Sequence, residues 1–97
     1  MVEITREDSA TKGRYVARMP GYPDAGELTF SKAGTKTVIA DHTGVPESLR
    51  GQGIALALVE RLVADARAQD FKIVPSCPYI RAQLPRHPAW ADVMQSS

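Results

Sequence analysis

The hexapeptide Arg50-Gly51-Gln52-Gly53-Ile54-Ala55 has the composition of a site that binds a phosphate group. It follows an apolar run at 37–42 and begins the longest amphipathic helix that the sequence predicts, 54–68. Glycines ahead of a helix leave backbone N–H groups uncovered at the positive end of the helix dipole, where anions bind readily. Arg50 adds a cation that stays charged at physiological pH. These residues therefore predict an anion-binding turn for a phosphate-bearing cofactor.

Two common nucleotide-binding patterns fit this turn poorly. A Walker A loop needs lysine and then serine or threonine after its last glycine, where this chain has Ile54 and Ala55. A dinucleotide fingerprint needs a third small residue, where this chain has Leu56, and also a tight strand-to-turn connection and an acid after the next strand. The pattern that remains is Arg/Gln-x-x-Gly-x-Gly/Ala, which Arg50, Gly53 and Ala55 satisfy.

The turn needs strands to position it, and the first half of the chain predicts them. Three stretches alternate polar and apolar residues in the manner of half-buried strands: 13–19, 27–31 and 35–42. The connection between the second and the third is short enough for a hairpin, so this half is predicted to be an antiparallel meander. Residues 1–12 are largely polar and fit either an edge strand or a frayed end. Residues 43–49 contain a glycine and a proline, so regular pairing is expected to stop there.

The second half is organised by the helix 54–68, whose apolar residues recur every three or four positions and form one stripe. A strand at 71–74 follows it, which makes a strand–helix–strand crossover with parallel pairing. Two short helical turns, 79–84 and 89–94, are expected near the end, separated by prolines. The predicted fold class is therefore α/β (α+β), with one mixed, mostly antiparallel sheet and the long helix packed on one face.

Composition limits the partners. The chain has 97 residues, which is room for one domain, residues 1–97, with one core. Twelve basic and eleven acidic side chains give a formal charge of +1, which removes the usual electrostatic argument for nucleic-acid or anionic-membrane binding. No apolar run approaches the roughly 20 residues of a membrane span, and the polar N-terminus does not read as a signal peptide. Cys77 is the single cysteine and can form no internal disulfide. We therefore expect a cytoplasmic protein with no membrane or nucleic-acid partner and no metal site.

The order of strand, loop, Arg-x-x-Gly-x-Ala turn, amphipathic helix and strand resembles the coenzyme A-binding core of the GNAT N-acetyltransferase superfamily. The match is in register from about Tyr15 to Met94 and so covers nearly the whole chain. It implies a minimal GNAT fold and acetyl-CoA (coenzyme A) as the cofactor. Three further stretches look like the small YjdJ-type GNAT-like proteins: His42-Thr43-x-Val45-Pro46, Pro75-x-Cys77-Pro78-Tyr79 and Arg86-His87-Pro88.

The resemblance also implies where the cofactor binds. Thr43, Gly44 and Val45 would face the pantetheine arm, which in GNAT proteins pairs with a strand edge between two diverging strands. Here that gap is expected between 41–45 and 73–77. Full-length GNAT enzymes carry extra helices before this core and extra strands after it, so without them the acceptor site should be shallow and open. The turn residues would hold the pyrophosphate: Arg50, Gly51, Gln52, Gly53, Ile54 and Ala55.

Acetyl transfer from a thioester to an amine requires a neutral amine, a stabilised carbonyl oxygen and a protonated leaving thiolate. The resemblance makes Cys77 a candidate nucleophile or a contact of the cofactor sulfur, although a free cysteine is often a buried core residue. Tyr79 could protonate the leaving thiolate or simply pack. His42 could act as a base or form a structural hydrogen bond. The family often has an acid where this chain has Gly44, so Glu47, His42 or water would have to replace it.

Two functional hypotheses follow. The first is an acetyl-CoA-dependent N-acetyltransferase that acts on a small-molecule amine or on an exposed lysine of a protein. The second is a non-catalytic CoA-binding or protein-interaction module that has kept the turn and lost the chemistry. Gly44 and the missing acceptor elements favour the second, while Cys77 and the intact turn are compatible with both.

Overall fold

The computed structural model describes residues 2–95 and shows one five-stranded sheet with a long helix against one face, which we call the inner face. The strands lie side by side in chain order; the first four are antiparallel neighbours and the fifth is parallel to the fourth. The mixed, mostly antiparallel sheet predicted from sequence is confirmed. Its strands are β1 (Glu3–Asp8), β2 (Lys12–Arg18), β3 (Ala25–Lys32), β4 (Thr37–Gly44) and β5 (Lys72–Pro75).

The first segment, for which the sequence left two readings, forms the edge strand β1. Ile4 and Arg6 of β1 lie opposite Ala17 and Tyr15 of β2, which are both fully buried, so the four residues share the inner face. The opposite face of the sheet, which we call the outer face, carries mainly polar side chains from β1 to β4. Hydrophobic burial therefore occurs mainly on the inner face, as alternation in an antiparallel meander predicts, and Val16 is a buried residue on the outer face.

The long helix, α1 (Ile54–Gln69), begins at the residue that the sequence predicts and ends one residue later than predicted. The residue after it, Asp70, caps the helix: its N–H still donates to the carbonyl oxygen of Ala66, and its φ of 58° turns the chain out of the helix. Its inward residues pack on β2 and β3 and form most of the core with them, as the predicted stripe requires. The buried residues of α1 are Ile54, Leu58, Val59, Leu62, Val63 and Ala66.

The chain after β5 closes the core. Helix α2 (Pro78–Gln83) is followed by two 3₁₀ turns, Leu84–Arg86 and Pro88–Asp92. The second turn, predicted as a helical turn at 89–94, is a 3₁₀ turn of five residues that begins with Pro88. Its Trp90 is buried, and its ring stacks on that of His87 with centroids 4.2 Å apart. Within residues 2–95, no helix is both long and apolar enough to cross a membrane.

Candidate functional site

The predicted anion-binding turn lies between a 3₁₀ turn (Glu47–Leu49) and the N-terminus of α1. Gly51 has a φ of 81° and Gly53 a φ of 74°, in the left-handed region that other residues rarely adopt. A Cβ added at either glycine would meet no atom within 4 Å, so both face open space. Glycine is therefore required here by backbone conformation, and it also leaves the turn accessible to a ligand.

The backbone N–H groups from Gly51 to Leu56 have no acceptor in the part of the chain that the structure describes. The first bond of α1 runs from the N–H of Ala57 to the carbonyl oxygen of Gly53 at 3.0 Å, and no side chain caps this helix. Free donors at a helix N-terminus favour a bound anion. Arg50 is exposed and forms no ion pair within residues 2–95. The turn thus fits a pyrophosphate group.

The 3₁₀ turn fixes the anion-binding turn against the body of the protein. Leu49 is fully buried, and its N–H donates to the carbonyl oxygen of Pro46 at 2.9 Å. The hydroxyl of Ser48 donates to Asp24 of the β2–β3 loop at 2.7 Å. One buried side chain and one cross-loop hydrogen bond therefore hold this segment, which has no regular pairing of its own.

Strands β4 and β5 diverge beside the turn, as predicted, but over a shorter stretch. β4 and β5 pair up to Ala40 and Pro75, and the N–H of Cys77 still donates to Ala40 at 2.9 Å. From there β4 pairs only with β3, through Gly44. The gap therefore begins at Asp41, and residues 73–75, which the sequence placed along it, lie within the paired part. Hydrogen bonding to β4 ends with the N–H of Cys77, because Pro78 starts α2 and turns the chain away from β4.

A β-bulge in β4 lies where the gap begins. Thr29 of β3 lies opposite His42 and the next residue lies opposite Ala40, so Asp41 is an extra residue in the ladder. Bulges redirect the side chains on the bulged strand. Asp41 accepts a hydrogen bond from Ser31 at 2.7 Å on the outer face, whereas Thr43 is on the inner face beside Cys77. Two consecutive residues, Asp41 and His42, therefore share the outer face.

Cys77 is a buried residue at the start of α2 and is 2% exposed. Its Sγ lies 3.3 Å from the hydroxyl oxygen of Thr43, so the two side chains join β4 to the chain after β5 across the gap. His42 lies on the other face of the sheet, and no base contacts the thiol among the described residues. This environment is that of a packed thiol and supplies nothing to activate it.

The imidazole of His42 lies against Gly44. A Cβ at Gly44 would lie 3.0 Å from Nε2 of His42, so the imidazole covers the space that a side chain at 44 would enter. His42 is exposed, and Asp41 bonds to Ser31 rather than to this imidazole. The structure thus places an accessible imidazole beside the gap, while Glu47 lies on the 3₁₀ turn.

Tyr79 lies next to the anion-binding turn. It lines a depression of about 170 Å³ together with Val45 and the turn. Burial, with a smaller contribution from Glu60, raises the pKa of Tyr79 above its ordinary value of 10. The phenol is therefore protonated at neutral pH and can donate a proton or a hydrogen bond. The turn residues that line the depression are Arg50, Gly51, Gly53, Ile54 and Ala55.

A polar cluster that the sequence did not reveal holds α1 to the sheet. The hydroxyl of buried Tyr15 donates to Asp65 at 2.7 Å, and Arg6 and Arg61 each bind the same carboxylate at 3.3 Å. Asp65 is not one of the apolar residues of the predicted helical stripe, so helical periodicity did not place it against the sheet. The sequence feature that could have indicated this cluster is Tyr15, a tyrosine on an otherwise apolar strand face, because a buried phenol needs a polar partner.

Solved structures share this architecture. A GCN5-like protein from Staphylococcus aureus aligns with a TM-score of 0.70 and 26% identity over 98% of this chain and 89% of that one. A ribosomal-protein-alanine N-acetyltransferase from Brucella melitensis aligns with a TM-score of 0.68 and 18% identity over 100% and 93%. The second likeness shows the fold alone. Together these structures confirm the GNAT fold.

Similar sequences include Protein NATD1 of several vertebrates. The Xenopus tropicalis protein is 31% identical over 88% of this chain and 78% of its own length, and the Homo sapiens protein is 28% identical over 88% and 75%. A family model described as GCN5-related N-acetyl-transferase matches residues 14–93, which contain the turn, the gap and the bulge. The chain therefore belongs to the GCN5-related N-acetyltransferase (GNAT) family.

Proposed function

We propose that this protein binds acetyl-CoA at the turn 50–55 and transfers the acetyl group to an amine. The observation that carries the proposal is the run of free N–H donors from Gly51 to Leu56, beside the gap between β4 and β5. An extended pantetheine chain would enter that gap along β4, whose edge from Asp41 onward has no strand partner on that side. Family membership supports the same chemistry.

The side chains around the gap can perform the proton transfers. Acetyl-CoA would supply the acetyl group as a thioester. His42 accepts a proton from the attacking amine, because it is the exposed base at the bulge. Tyr79 keeps its proton at neutral pH and can give it to the departing sulfur. Cys77 supports the gap through Thr43 and takes no part in covalent catalysis.

One observation favours a second function, in which the protein binds CoA but does not catalyse acetyl transfer. Gly44 carries no carboxylate where the family often has one, so another group, His42 in this proposal, must accept the proton of the amine. CoA release in the presence of a panel of amines separates the two functions. Amine-dependent release by wild type and by Cys77→Ala supports the transferase without a cysteine nucleophile. No release with any amine, despite CoA binding, supports the module.

Cofactor binding is tested by thermal shift with acetyl-CoA, CoA, NAD and ATP. A ligand at 100 times its dissociation constant stabilises the folded state by about 2.7 kcal/mol. We expect this effect with acetyl-CoA and CoA and a much smaller one with NAD or ATP. Equal shifts with all four ligands, or none with CoA, would contradict the proposal.

The turn itself is tested by Gly53→Val, which places a branched side chain over the donors. Valine is also strained at a φ of 74°, so the variant loses stability for a second reason. Gly34→Val is the matched control, because Gly34 has a φ of 81°, equally open surroundings and a position in the β3–β4 turn. We expect both variants to melt earlier than wild type, and only Gly53→Val to lose the shift with CoA.

A further inference from the structure

A groove on the outer face of the sheet contains none of the turn residues 50–55. Its volume is about 780 Å³, and it runs from the bulge in β4 across β3 and β2 to the β1–β2 turn. It starts at Asp41, which shares the outer face with His42, the next residue in the chain. Phe30 is the one large apolar residue among its described lining residues, and it is 1% exposed. The groove therefore suits a polar molecule that reaches the bulge from the outer face.

Some charged side chains of the groove form ion pairs and others do not. Arg14 binds Glu7 at 2.8 Å, so this pair neutralises itself. Asp41 accepts a hydrogen bond from the hydroxyl of Ser31. Within residues 2–95, neither Asp41 nor Lys12 forms an ion pair. A free negative charge at the bulge and a free positive charge toward the β1–β2 turn are thus left for a ligand.

The sheet fixes the relative positions of these two charges. Lys12 lies directly opposite Ser31 in the β2–β3 ladder, and Ser31 in turn binds Asp41 of β4. The two charged residues therefore flank one serine, with one strand between them. An ammonium group near Asp41 and a carboxylate near Lys12 would complete both ion pairs with a single small molecule. The hydroxyls of Ser31 and Thr29 offer hydrogen bonds between them.

We propose that this groove binds the acetyl acceptor and that the acceptor is a small zwitterionic amine of the amino-acid type. The proposal rests on the proposed transferase function and names the substrate class for it. Asp41 holds the ammonium group beside His42, which removes a proton before the nitrogen attacks. Lys12 holds the carboxylate and makes the site select zwitterions over simple cations. The acceptor thus approaches from the outer face of the sheet, whereas the anion-binding turn lies at the N-terminus of α1, on the inner face.

Three amines of equal length test the charge arrangement: β-alanine, β-alaninamide and 1,3-diaminopropane, whose far groups are anionic, neutral and cationic. We expect kcat/KM for CoA release to fall in that order. Asp41→Asn should raise the KM of all three roughly fivefold, the upper range for an exposed ion pair. Lys12→Gln should raise the KM of β-alanine alone and make it equal to that of β-alaninamide. The KM of acetyl-CoA should not change.

Two control variants each remove one charge, negative or positive, from a residue outside the groove. Asp70→Asn removes an exposed carboxylate just after α1, and Lys36→Gln removes the exposed lysine of the β3–β4 turn that binds it at 3.0 Å. Both should keep the wild-type KM values. If Lys12→Gln changes the three KM values equally, or if the preferred amine is 1,3-diaminopropane, the zwitterion assignment is wrong while the transferase function stands.

A binding measurement keeps the groove testable without turnover. In ¹⁵N–¹H NMR spectra of the CoA-bound protein, added β-alanine should shift the amide signals of Ser31 and Asp41, and Lys12→Gln should reduce the shifts at the same β-alanine concentration. Signals that stay unchanged, or that move equally in wild type and Lys12→Gln, would overturn the inference. Absence of CoA release with all three amines in the kinetic assay would instead count against the proposed function.

Discussion

At the scale of single residues, Tyr79 and Tyr15 show how burial gives two tyrosines different tasks. Tyr79 is partly exposed beside the anion-binding turn, whereas Tyr15 is fully buried under α1. Burial raises the pKa of both phenols. For Tyr79 this preserves a proton donor at the proposed reaction site. For Tyr15 it makes the stability of the fold depend on the neutral phenol.

Tyr79→Phe should lower kcat by about 100-fold, the contribution typical of a general acid. The KM of acetyl-CoA should change little, because phenylalanine keeps the ring that lines the depression. Because the pKa of Tyr79 is raised above 10, its ionisation should not reduce the wild-type rate below pH 10. Steady-state kinetics from pH 6 to 10 measure both effects. An unchanged kcat in the variant would mean that Tyr79 only packs.

Tyr15 should make the protein sensitive to alkali. Its folded-state pKa is raised by burial and by the bond to Asp65, so its contribution is complete below the unfolded pKa of about 10. That contribution is lost as the pH rises from 10 toward the folded-state value. We expect the unfolding free energy of wild type to fall between pH 10 and 12. That of Tyr15→Phe should start lower and fall less steeply.

Tyr22→Phe, at an exposed position, is the control and should keep the wild-type slope. Urea unfolding across this pH range measures the slopes, and equal slopes for wild type and Tyr15→Phe would contradict the assignment.

At the scale of elements, the position of the turn depends on how closely α1 approaches β3. The contact is made at Gly26, where an added Cβ would lie 2.8 Å from Cγ2 of Ile54 and 3.5 Å from the carbonyl oxygen of Gly44. Ile54 is the first residue of α1 and belongs to the turn. The absence of a side chain at 26 thus lets the helix N-terminus sit beside the end of β4, where the gap opens.

Gly26→Ala should therefore weaken CoA binding by displacing the start of α1. Overpacking of this kind costs about 1–3 kcal/mol of stability, and a displaced site loses affinity, here about tenfold. Calorimetric titration with CoA measures the affinity. Val63→Ala is the control, because it destabilises the buried middle of α1 without touching its N-terminus. If both variants bind CoA as wild type does, Gly26 has no role in positioning the turn.

At the scale of the whole molecule, the C-terminal segment completes the core that holds β5 in place. The chain after Trp90 runs along the free edge of β5, where the N–H of Ile73 donates to Val93 and the N–H of Gln95 donates to Ile73, both at 2.8 Å. Arg67 of α1 binds Asp92 at 2.9 Å. The segment thus joins the parallel edge of the sheet to the helix.

Trp90→Ala should remove a large part of the stability. Truncating a buried aromatic residue costs about 3–5 kcal/mol, against a total of roughly 5–15 kcal/mol for a domain of ordinary stability. Trp90→Phe should cost less, because it keeps an aromatic ring for His87 to stack on. Urea unfolding measures both variants. A loss below 1 kcal/mol in Trp90→Ala would show that the segment does not support the core.

The sequence by itself determined the elements and the anion-binding turn. Alternation and helical periodicity are local patterns, so the strands and α1 were located to within a few residues. The turn was predictable because two glycines, a helix start and Arg50 are adjacent in the chain. The nature of the cofactor was inferred from the resemblance to GNAT proteins.

The tertiary structure decided which side chains face each other. The bulge that puts Asp41 and His42 on one face is a register shift between two strands, and no single strand encodes it. The bond from Tyr15 to Asp65 and the contact between Thr43 and Cys77 join residues 50 and 34 positions apart. The outer-face groove likewise exists only after four strands align. A sequence lists the groups that can do chemistry, but packing fixes the face of the sheet on which each one lies.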